Sequence, residues 1–370
     1  MTAIATEINR IAEKRLQGGR IDLTEALFLY QEADLFTLGE LANQLNQAIN
    51  GATVYYNINH HINPTNVCVN QCRFCAYSKL EGEEGAYEQS IADILEEVKD
   101  AEARGVTEFH LVGGLHPHRP FSFYLELLRA LREAHPHIIL KAFTAVEIEY
   151  FSRIAKLPVR EILTRLKDAG LQAMPGGGAE IFAPAVRNQI CPEKISGSAW
   201  LEIMGIAHEL DIPTNATMLY GHIESIADRL DHLEQLRQLQ DRTGGFQVFI
   251  PLAFHATNTE IRKKGETSGI DDLKTLALAR IFLDNFNHLK AYWVMLGEKI
   301  AQVGLHFGVN DLDGTVIKER ITHAAGAKSA KGHSESYIRN LINRAGRQPR
   351  ERDTFYRPLS QQINEQENHD

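Results

Sequence analysis

Cysteine is scarce in this chain, four residues in 370, too few to brace a disulfide-built scaffold. Basic residues are also in the minority. Lys and Arg number 39 against 48 Asp and Glu, a formal net charge of −9. Neutralising nucleic-acid phosphates takes clustered positive charge, so the balance argues against a general nucleic-acid binder. No apolar run approaches the roughly 20 residues of a membrane span. The opening Met1-Thr-Ala-Ile-Ala-Thr-Glu7 lacks the basic and apolar regions of a secretory signal. The expectation is a soluble cytoplasmic chain of enzyme size, with neither nucleic acid nor membrane as partner. Two phosphate-binding signatures are missing as well. No Gly-x-Gly-x-x-Gly follows the first strand pattern, and no Gly-Lys-Ser/Thr follows the glycines at 176–178.

Three of the four cysteines, Cys68, Cys72 and Cys75, stand within eight positions, in Asn66-Val-Cys-Val-Asn-Gln-Cys-Arg-Phe-Cys-Ala-Tyr77. A reducing cytosol gives no reason to cluster thiols for disulfides, so a metal comes first. Tetrahedral zinc wants four ligands, and His61 stands near enough in sequence to supply the fourth. Three thiolates can instead fix three irons of a cubane cluster and leave the fourth iron open to an amine and a carboxylate.

Residues 1–50 read as helices. Ile8, Ile11, Ala12 and Leu16 share one helical face, 23–30 and 35–49 continue the pattern, and Thr24 and Thr37 are the expected caps. From residue 53 short β-rich runs alternate with amphipathic stretches. Strands are expected at 54–58, 108–112, 138–143, 172–174, 214–219, 247–252, 289–295 and 305–309. Helices are expected near 90–104, 121–134, 147–168, 197–210, 225–241, 271–286 and 298–303. Such alternation implies parallel strands joined by crossovers, and eight units match a (β/α)8 TIM-type barrel of about 250 residues. An open doubly wound sheet is the alternative. The expected organisation is an N-terminal helical extension over 1–50, a barrel over 51–317, and a C-terminal helical extension over 318–370. Residues 337–344 form its amphipathic segment, and its last ten residues are polar enough for disorder.

The cysteine run directly follows the first strand, on what would be a barrel's catalytic face. Gly113-Gly-Leu-His-Pro117 ends the second strand and Pro175-Gly-Gly-Gly-Ala-Glu-Ile-Phe182 the fourth. Glycines there let backbone approach a ligand. Of 16 histidines, His60, His61, His116, His222 and His255 fall at expected strand ends. His60, His116 and His222 are the candidates for proton transfer or carboxylate recognition. Cys191 has no ligand spacing to the triplet and reads as a small buried residue.

The Cys-x3-Cys-x2-Cys run with Phe74 before its last cysteine, on a (β/α) pattern, resembles the radical S-adenosylmethionine superfamily. The resemblance implies a [4Fe-4S] cluster on Cys68, Cys72 and Cys75, with S-adenosylmethionine on the open iron and a flavodoxin or ferredoxin as reductant. It further implies Gly113 and Gly114 at the cofactor's ammonium, Glu180 at its ribose and Arg187 at its carboxylate, with Tyr77 and Thr217 as further contacts. His60-His-Ile-Asn-Pro-Thr-Asn66, Asn215-Ala-Thr-Met-Leu-Tyr-Gly-His-Ile-Glu224, Lys290-Ala-Tyr-Trp293, Asp311-Leu-Asp-Gly-Thr315 and Ala325-Gly-Ala-Lys-Ser329 look like the menaquinone (futalosine) branch. Within it the chain is most similar to the aminodeoxyfutalosine synthase family. Dehypoxanthine futalosine cyclases and deazaflavin-forming synthases share several of these motifs. The implied small-molecule substrate is 3-[(1-carboxyvinyl)oxy]benzoate. The N-terminal helical arm and the C-terminal tail offer surfaces for a homodimer.

Overall fold

The computed structural model describes residues 2–261 and 267–359; the polar run 361–370, expected to be disordered, lies outside them. Three helices come first: α1 (Ala3–Leu16), α2 (Leu23–Glu32) and α3 (Leu35–Asn50). The threonines do not cap α2 and α3. Asp22 accepts the Glu25 N–H, and Asp34 accepts those of Phe36 and Thr37 while taking the Thr37 hydroxyl as well. A carboxylate satisfies orphan N–H groups and also complements the positive end of the helix dipole, so aspartate outcompetes threonine here.

β1 (Thr53–Asn57) and β2 (Asn59–Ile62) follow as two halves of one strand broken at Ile58. After the cysteine loop come α4 (Ile91–Val98), β3 (Glu108–Leu111), α5 (Phe121–Ala134) and β4 (Ile139–Ala142). Next are α6 (Ala145–Ala155), α7 (Val159–Asp168), α8 (Pro184–Ile190), α9 (Gly197–Glu209) and β5 (Thr214–Tyr220). Then follow α10 (Ile226–Thr243), β6 (Phe246–Ala253), α11 (Gly269–Phe282), α12 (Trp293–Leu296) and α13 (Glu298–Gly304). β7 (Asp311–Gly314), α14 (Ile321–Ala324), α15 (Glu335–Arg344) and β8 (Gln348–Glu351) complete the described elements.

The pairings close a ring. β2 pairs with β3 in the register His61↔His110, and β3 with β4 at His110↔Lys141. Single bridges carry the ring through Lys141↔Ala173 and Met174↔Thr214 to β5. β5 pairs with β6 at Thr217↔Ile250; Phe249↔Leu289 and Lys290↔Asp311 lead to β7, and β7 pairs with β1 at Tyr55↔Asp311. All these pairings are parallel, and counting β1 and β2 as one strand gives eight positions, a (β/α)8 barrel. The strands are buried on both sides, as β5 is at every residue. Helices pack outside, and α3 lies along α11.

Several elements depart from the sequence reading. The helix expected over 147–168 is two, because Lys156 ends α6 in the left-handed region (φ 54°) and Pro158 starts α7. Of 289–295, only Leu289 and Lys290 pair as strand before α12 begins at Trp293. The eighth strand lies at Asp311–Gly314, not 305–309, where the chain turns through Gly308 (φ 91°). The C-terminal extension is not purely helical. After α15, β8 pairs in parallel with β1 from Thr53↔Gln348 to Tyr56↔Glu351.

That added strand sits at the N-terminal end of the barrel and brings polar side chains into its floor. The Thr354 hydroxyl donates to Glu108 at 2.7 Å, and Asp311 takes Arg352 Nε at 2.7 Å and the Tyr356 hydroxyl at 2.6 Å. Lys141 meets Glu108 at 2.6 Å and Lys290 meets Asp313 at 2.9 Å. Stranding one charge of such a buried pair typically costs about 3–5 kcal/mol, so the floor acts as a unit.

Candidate active site

The cysteine loop leaves β2 and crosses the C-terminal mouth of the barrel. The Cys68 N–H donates to Lys79 O (3.0 Å), that of Lys79 to Asn66 O (2.9 Å) and that of Val69 to Leu115 O (3.0 Å). Asn66 ties the far side of the loop, donating to Gly85 O and accepting the Tyr87 N–H. Gly114 is where this loop meets the end of β3. Its N–H donates to Thr65 O at 2.9 Å, and a Cβ on it would lie 2.2 Å from Val67 O. The glycine is therefore required by the approach of two backbones.

All three thiols open onto one cavity of about 330 Å³, lined by residues of β2, β3, β5, β6 and β7 and by the segments that follow the other three strand positions. Burial pushes the Cys72 thiol up to about 12 and Cys68 upward, with Lys194 opposing both. Thiols in such a place become ligands by exchanging their protons for metal. Among the described residues no three His, Cys, Asp or Glu side chains converge on a single ion, and a cubane, which takes each thiolate on a different iron, requires no such convergence. The donor set, soft, threefold and on one wall, fits an iron–sulfur cluster.

The glycine run after the fourth strand position forms the adjoining wall. A Cβ on Gly176 would lie 2.6 Å from Asn215 O, and Gly178 (φ 86°) faces Val146. Thr217 donates to Gly176 O at 2.6 Å, and Trp200 Nε1 to Gly177 O at 3.2 Å. Glu180, itself left-handed (φ 46°), lines the cavity and takes Lys194 Nζ at 2.6 Å. Tyr77 lines the cavity too, its hydroxyl bridging Thr65 O and the Tyr87 hydroxyl. Cys68, Cys72, Cys75, Tyr77, Gly113, Gly114, Glu180 and Thr217 are thus brought together.

Arg187 is not on that wall. The residue is 3% exposed, and its guanidinium donates to four backbone carbonyls: Ile195 (2.7 Å), Ala179 (2.6 Å), Gly178 (2.9 Å) and Ile181 (3.3 Å). This corrects the carboxylate role expected for it; the arginine fixes the shape of the glycine loop. The cation that does reach the cavity is Lys194, which also lies 4.8 Å above the Phe74 ring. Cys191 is fully buried, as expected of it.

The three histidine candidates also lie off the cavity wall. His60 is held outside the ring between Glu97 (3.3 Å) and Arg104 (3.2 Å). His116 sits 3.0 Å from Glu88, and its Nδ1 accepts the His118 N–H. His222 accepts the Ile223 N–H and sets its other nitrogen 3.0 Å from Leu219 O. All three have local partners that keep them from the cavity, which corrects the sequence reading. Instead His61 and His110 face inward, stacked at 4.6 Å with their planes 9° apart. Burial lowers both pKa values, so both rings are neutral, and His61 Nε2 is buried without a hydrogen-bond partner. His255 and Tyr292 complete this side with Ile250, Leu252, Phe254 and Met295. Strand alternation signals that one of His60 and His61 faces inward, but not which.

Comparisons with known proteins agree with this geometry. Residues 62–236 match the Radical SAM superfamily, and residues 243–365 match the CofH/MqnC C-terminal region. The chain is 50% identical over 353 residues to an aminodeoxyfutalosine synthase of Thermus thermophilus, covering 94% of this chain and 95% of that protein. It is 41% identical over 348 residues to a 5-amino-6-(D-ribitylamino)uracil–L-tyrosine 4-hydroxyphenyl transferase of Methanosphaerula palustris, covering 92% and 95%. The crystal structure of methylornithine synthase superposes with a TM-score of 0.74 at 15% identity, over 92% of this chain and 97% of that one, which supports the fold. No helix among the described residues is long and apolar enough to cross a membrane. With the cysteine loop at the mouth of a (β/α)8 barrel, the chain belongs to the radical S-adenosylmethionine superfamily, as a transferase of the branch that carries a CofH/MqnC C-terminal region and uses a [4Fe-4S] cluster with S-adenosylmethionine.

Proposed function

We propose that this chain is an aminodeoxyfutalosine synthase. It joins C5′ of S-adenosylmethionine to the vinyl carbon of 3-[(1-carboxyvinyl)oxy]benzoate. Rearrangement and loss of a carboxyl carbon then give 6-amino-6-deoxyfutalosine and methionine for menaquinone synthesis. The observation that carries this reading is the 50% identity to the Thermus thermophilus synthase over nearly the whole of both chains.

The residues fit the task. Cys68, Cys72 and Cys75 would hold the cluster, which when bound supplies the electron that opens the sulfonium C–S bond. The glycine wall and Thr217 offer backbone and a hydroxyl to the adenosine. On the far side, Ile250, Leu252, Phe254 and Met295 form an apolar wall suited to the aryl ring. His61 and His110, neutral and stacked, present ring nitrogens to a substrate carboxylate. Enclosure by the loop keeps water from the reacting carbons. The reading places the enzyme in the cytoplasm, with a flavodoxin or ferredoxin as reductant.

Anaerobic, cluster-loaded protein given dithionite, S-adenosylmethionine and the enol ether should yield 6-amino-6-deoxyfutalosine by mass spectrometry. Stoichiometric 5′-deoxyadenosine without the adduct would sink the proposal in favour of a hydrogen-abstracting enzyme such as the cyclase. Supplying tyrosine with 5-amino-6-(D-ribitylamino)uracil tests the activity named for the archaeal relative, and no coupled product is expected.

A further inference from the structure

His61 of β2 and His110 of β3 pair in register one residue before the strand ends Ile62 and Leu111, whereas the cysteines stand in the loop beyond those ends. The two rings therefore mark the inner end of the cavity. Asp313 and Glu319 share that wall and act on His61 electrostatically. The bases around them are already committed. Lys290 meets Asp313 at 2.9 Å, Lys141 meets Glu108 at 2.6 Å, Arg352 Nε meets Asp311 at 2.7 Å, and His323 Nδ1 meets Glu319 at 2.7 Å. Toward the glycine wall Lys194 meets Glu180 at 2.6 Å, and Glu147, also on the cavity, takes its bonds from Thr144 and Gly113.

The enol ether enters this place as a dianion. Its vinyl carbon must reach the adenosyl carbon at the cluster end, and its ring has the apolar wall of Ile250, Leu252, Phe254 and Met295. The ring carboxylate, at the opposite end of the molecule, then comes to the depth of His61 and His110. A buried carboxylate without a countercharge is costly. With each of those bases holding an acid, the missing charge has to be made, and histidine is the side chain that makes one near neutral pH.

His61 is the better placed of the two. It is 7% exposed, lines the cavity, and its buried Nε2 has no hydrogen-bond partner. Burial opposes a charge on either ring. At His61 that is countered by Glu319, Asp313 and Glu108, with Lys141 acting the other way. At His110 burial is joined by His61 and Lys141, against Glu108 and Asp313.

We propose, on the substrate reading above, that His61 takes up one proton as the enol ether binds and, as an imidazolium, holds the carboxylate of its benzoate ring. The proton comes from solvent, and the only covalent change is the new N–H bond. His110 stays neutral, because two charged rings stacked at 4.6 Å repel each other.

Anaerobic calorimetry tests this on cluster-loaded protein saturated with S-adenosylmethionine and kept without reductant, so that nothing turns over. The titrants are 3-[(1-carboxyvinyl)oxy]benzoate and 2-phenoxyprop-2-enoate, which keeps the vinyl carboxylate and lacks the one on the ring. Titrations at pH 7 in two buffers of unlike ionisation enthalpy count the protons exchanged. The benzoate should bind native protein with uptake approaching one proton, and its affinity should fall as pH rises from 7. The phenoxy compound should bind without uptake. His61→Gln keeps a hydrogen-bond donor but does not titrate. It should lose the uptake and weaken the benzoate about tenfold or more, with the phenoxy compound within about twofold.

Two other groups are able to take a proton at this pH: Glu147, pushed up to about 7 by burial, and His323, raised by its bond to Glu319. Tyr292, facing Glu319 and Asp313, is kept protonated by burial. Uptake that persists in His61→Gln would belong to one of the first two and overturns the proposal. If the variant fails to fold, the native protein decides alone: no uptake with the benzoate, or equal uptake with both titrants, overturns it. Native protein that binds neither titrant would overturn the substrate reading and this proposal together.

Discussion

Replacing Gly114 by alanine would set a Cβ 2.2 Å from the carbonyl oxygen of Val67 and 2.7 Å from its carbon. Real Cβ contacts essentially never fall below 3.0 Å, so the two backbones must separate by at least 0.8 Å. No side chain can rotate away to absorb this, because both sides of the contact are main chain. The Gly114 N–H to Thr65 and the Val69 N–H to Leu115 pin the loop at either end of the clash. Val67 precedes Cys68, so the displacement passes directly to the first thiol. Overpacking of this kind costs about 1–3 kcal/mol, and a misplacement near 1 Å at a reacting centre costs on the order of 10²-fold in rate. Gly114→Ala should therefore fold with a melting temperature a few degrees lower, take up less iron on anaerobic reconstitution, and turn over about 10²-fold more slowly. Gly113→Ala is the control, since its Cβ would meet Thr65 O at 3.3 Å and Pro64 Cδ at 3.4 Å. It should stay near the native protein in stability and iron content. Iron per chain, the paramagnetic resonance signal of the reduced cluster with and without S-adenosylmethionine, and the initial rate are the readouts. Native values for all three in Gly114→Ala would refute the argument.

Arg187→Met should destabilise the protein by about 3–5 kcal/mol in urea melts, because buried carbonyls lose a charged donor. It should weaken methylthioadenosine as well as S-adenosylmethionine; an unchanged melt with loss confined to S-adenosylmethionine would restore a carboxylate-binding role. Burial lowers His208 to about 4 and His232 to about 3. Folded, both are neutral, while the unfolded chain takes up protons below about 6.5. Their contribution to stability is thus complete above pH 6.5 and is lost as pH falls toward the folded values, by about 1.4 kcal/mol per unit for each histidine. Urea midpoints at pH 7.5, 6 and 5 check this, and midpoints that do not move would contradict it.

The cysteine triplet was legible because metal chemistry dictates both residue type and spacing, and the barrel because parallel crossovers impose alternation. What stayed hidden depends on partners distant in sequence. No strand is expected at Asp311-Leu-Asp-Gly314, because acids are poor strand formers. It is a strand because Lys290, Arg352 and Tyr356 meet those carboxylates. Arg187 has the chemistry of a carboxylate clamp, yet the backbone carbonyls that take its donors cannot be read from residue types. The choice between His60 and His61 is a matter of strand register. Thr144-Ala-Val-Glu147 is recognisable in the sequence as a capping box; that the same carboxylate faces the cavity is a fact of packing alone. Lys194 lies in a turn after a short helix, where no periodicity marks it.

The pairing of β8 with β1 joins segments that leave the ribosome far apart in time. At ~5–20 residues per second, roughly 15–60 s separate the synthesis of Thr53 from that of Gln348. Throughout that interval β1 has an unpaired edge, and Glu108 lacks the Thr354 hydroxyl that meets it in the finished floor. A nascent or stalled chain therefore presents an open strand to its neighbours, a template for aggregation that the completed barrel conceals.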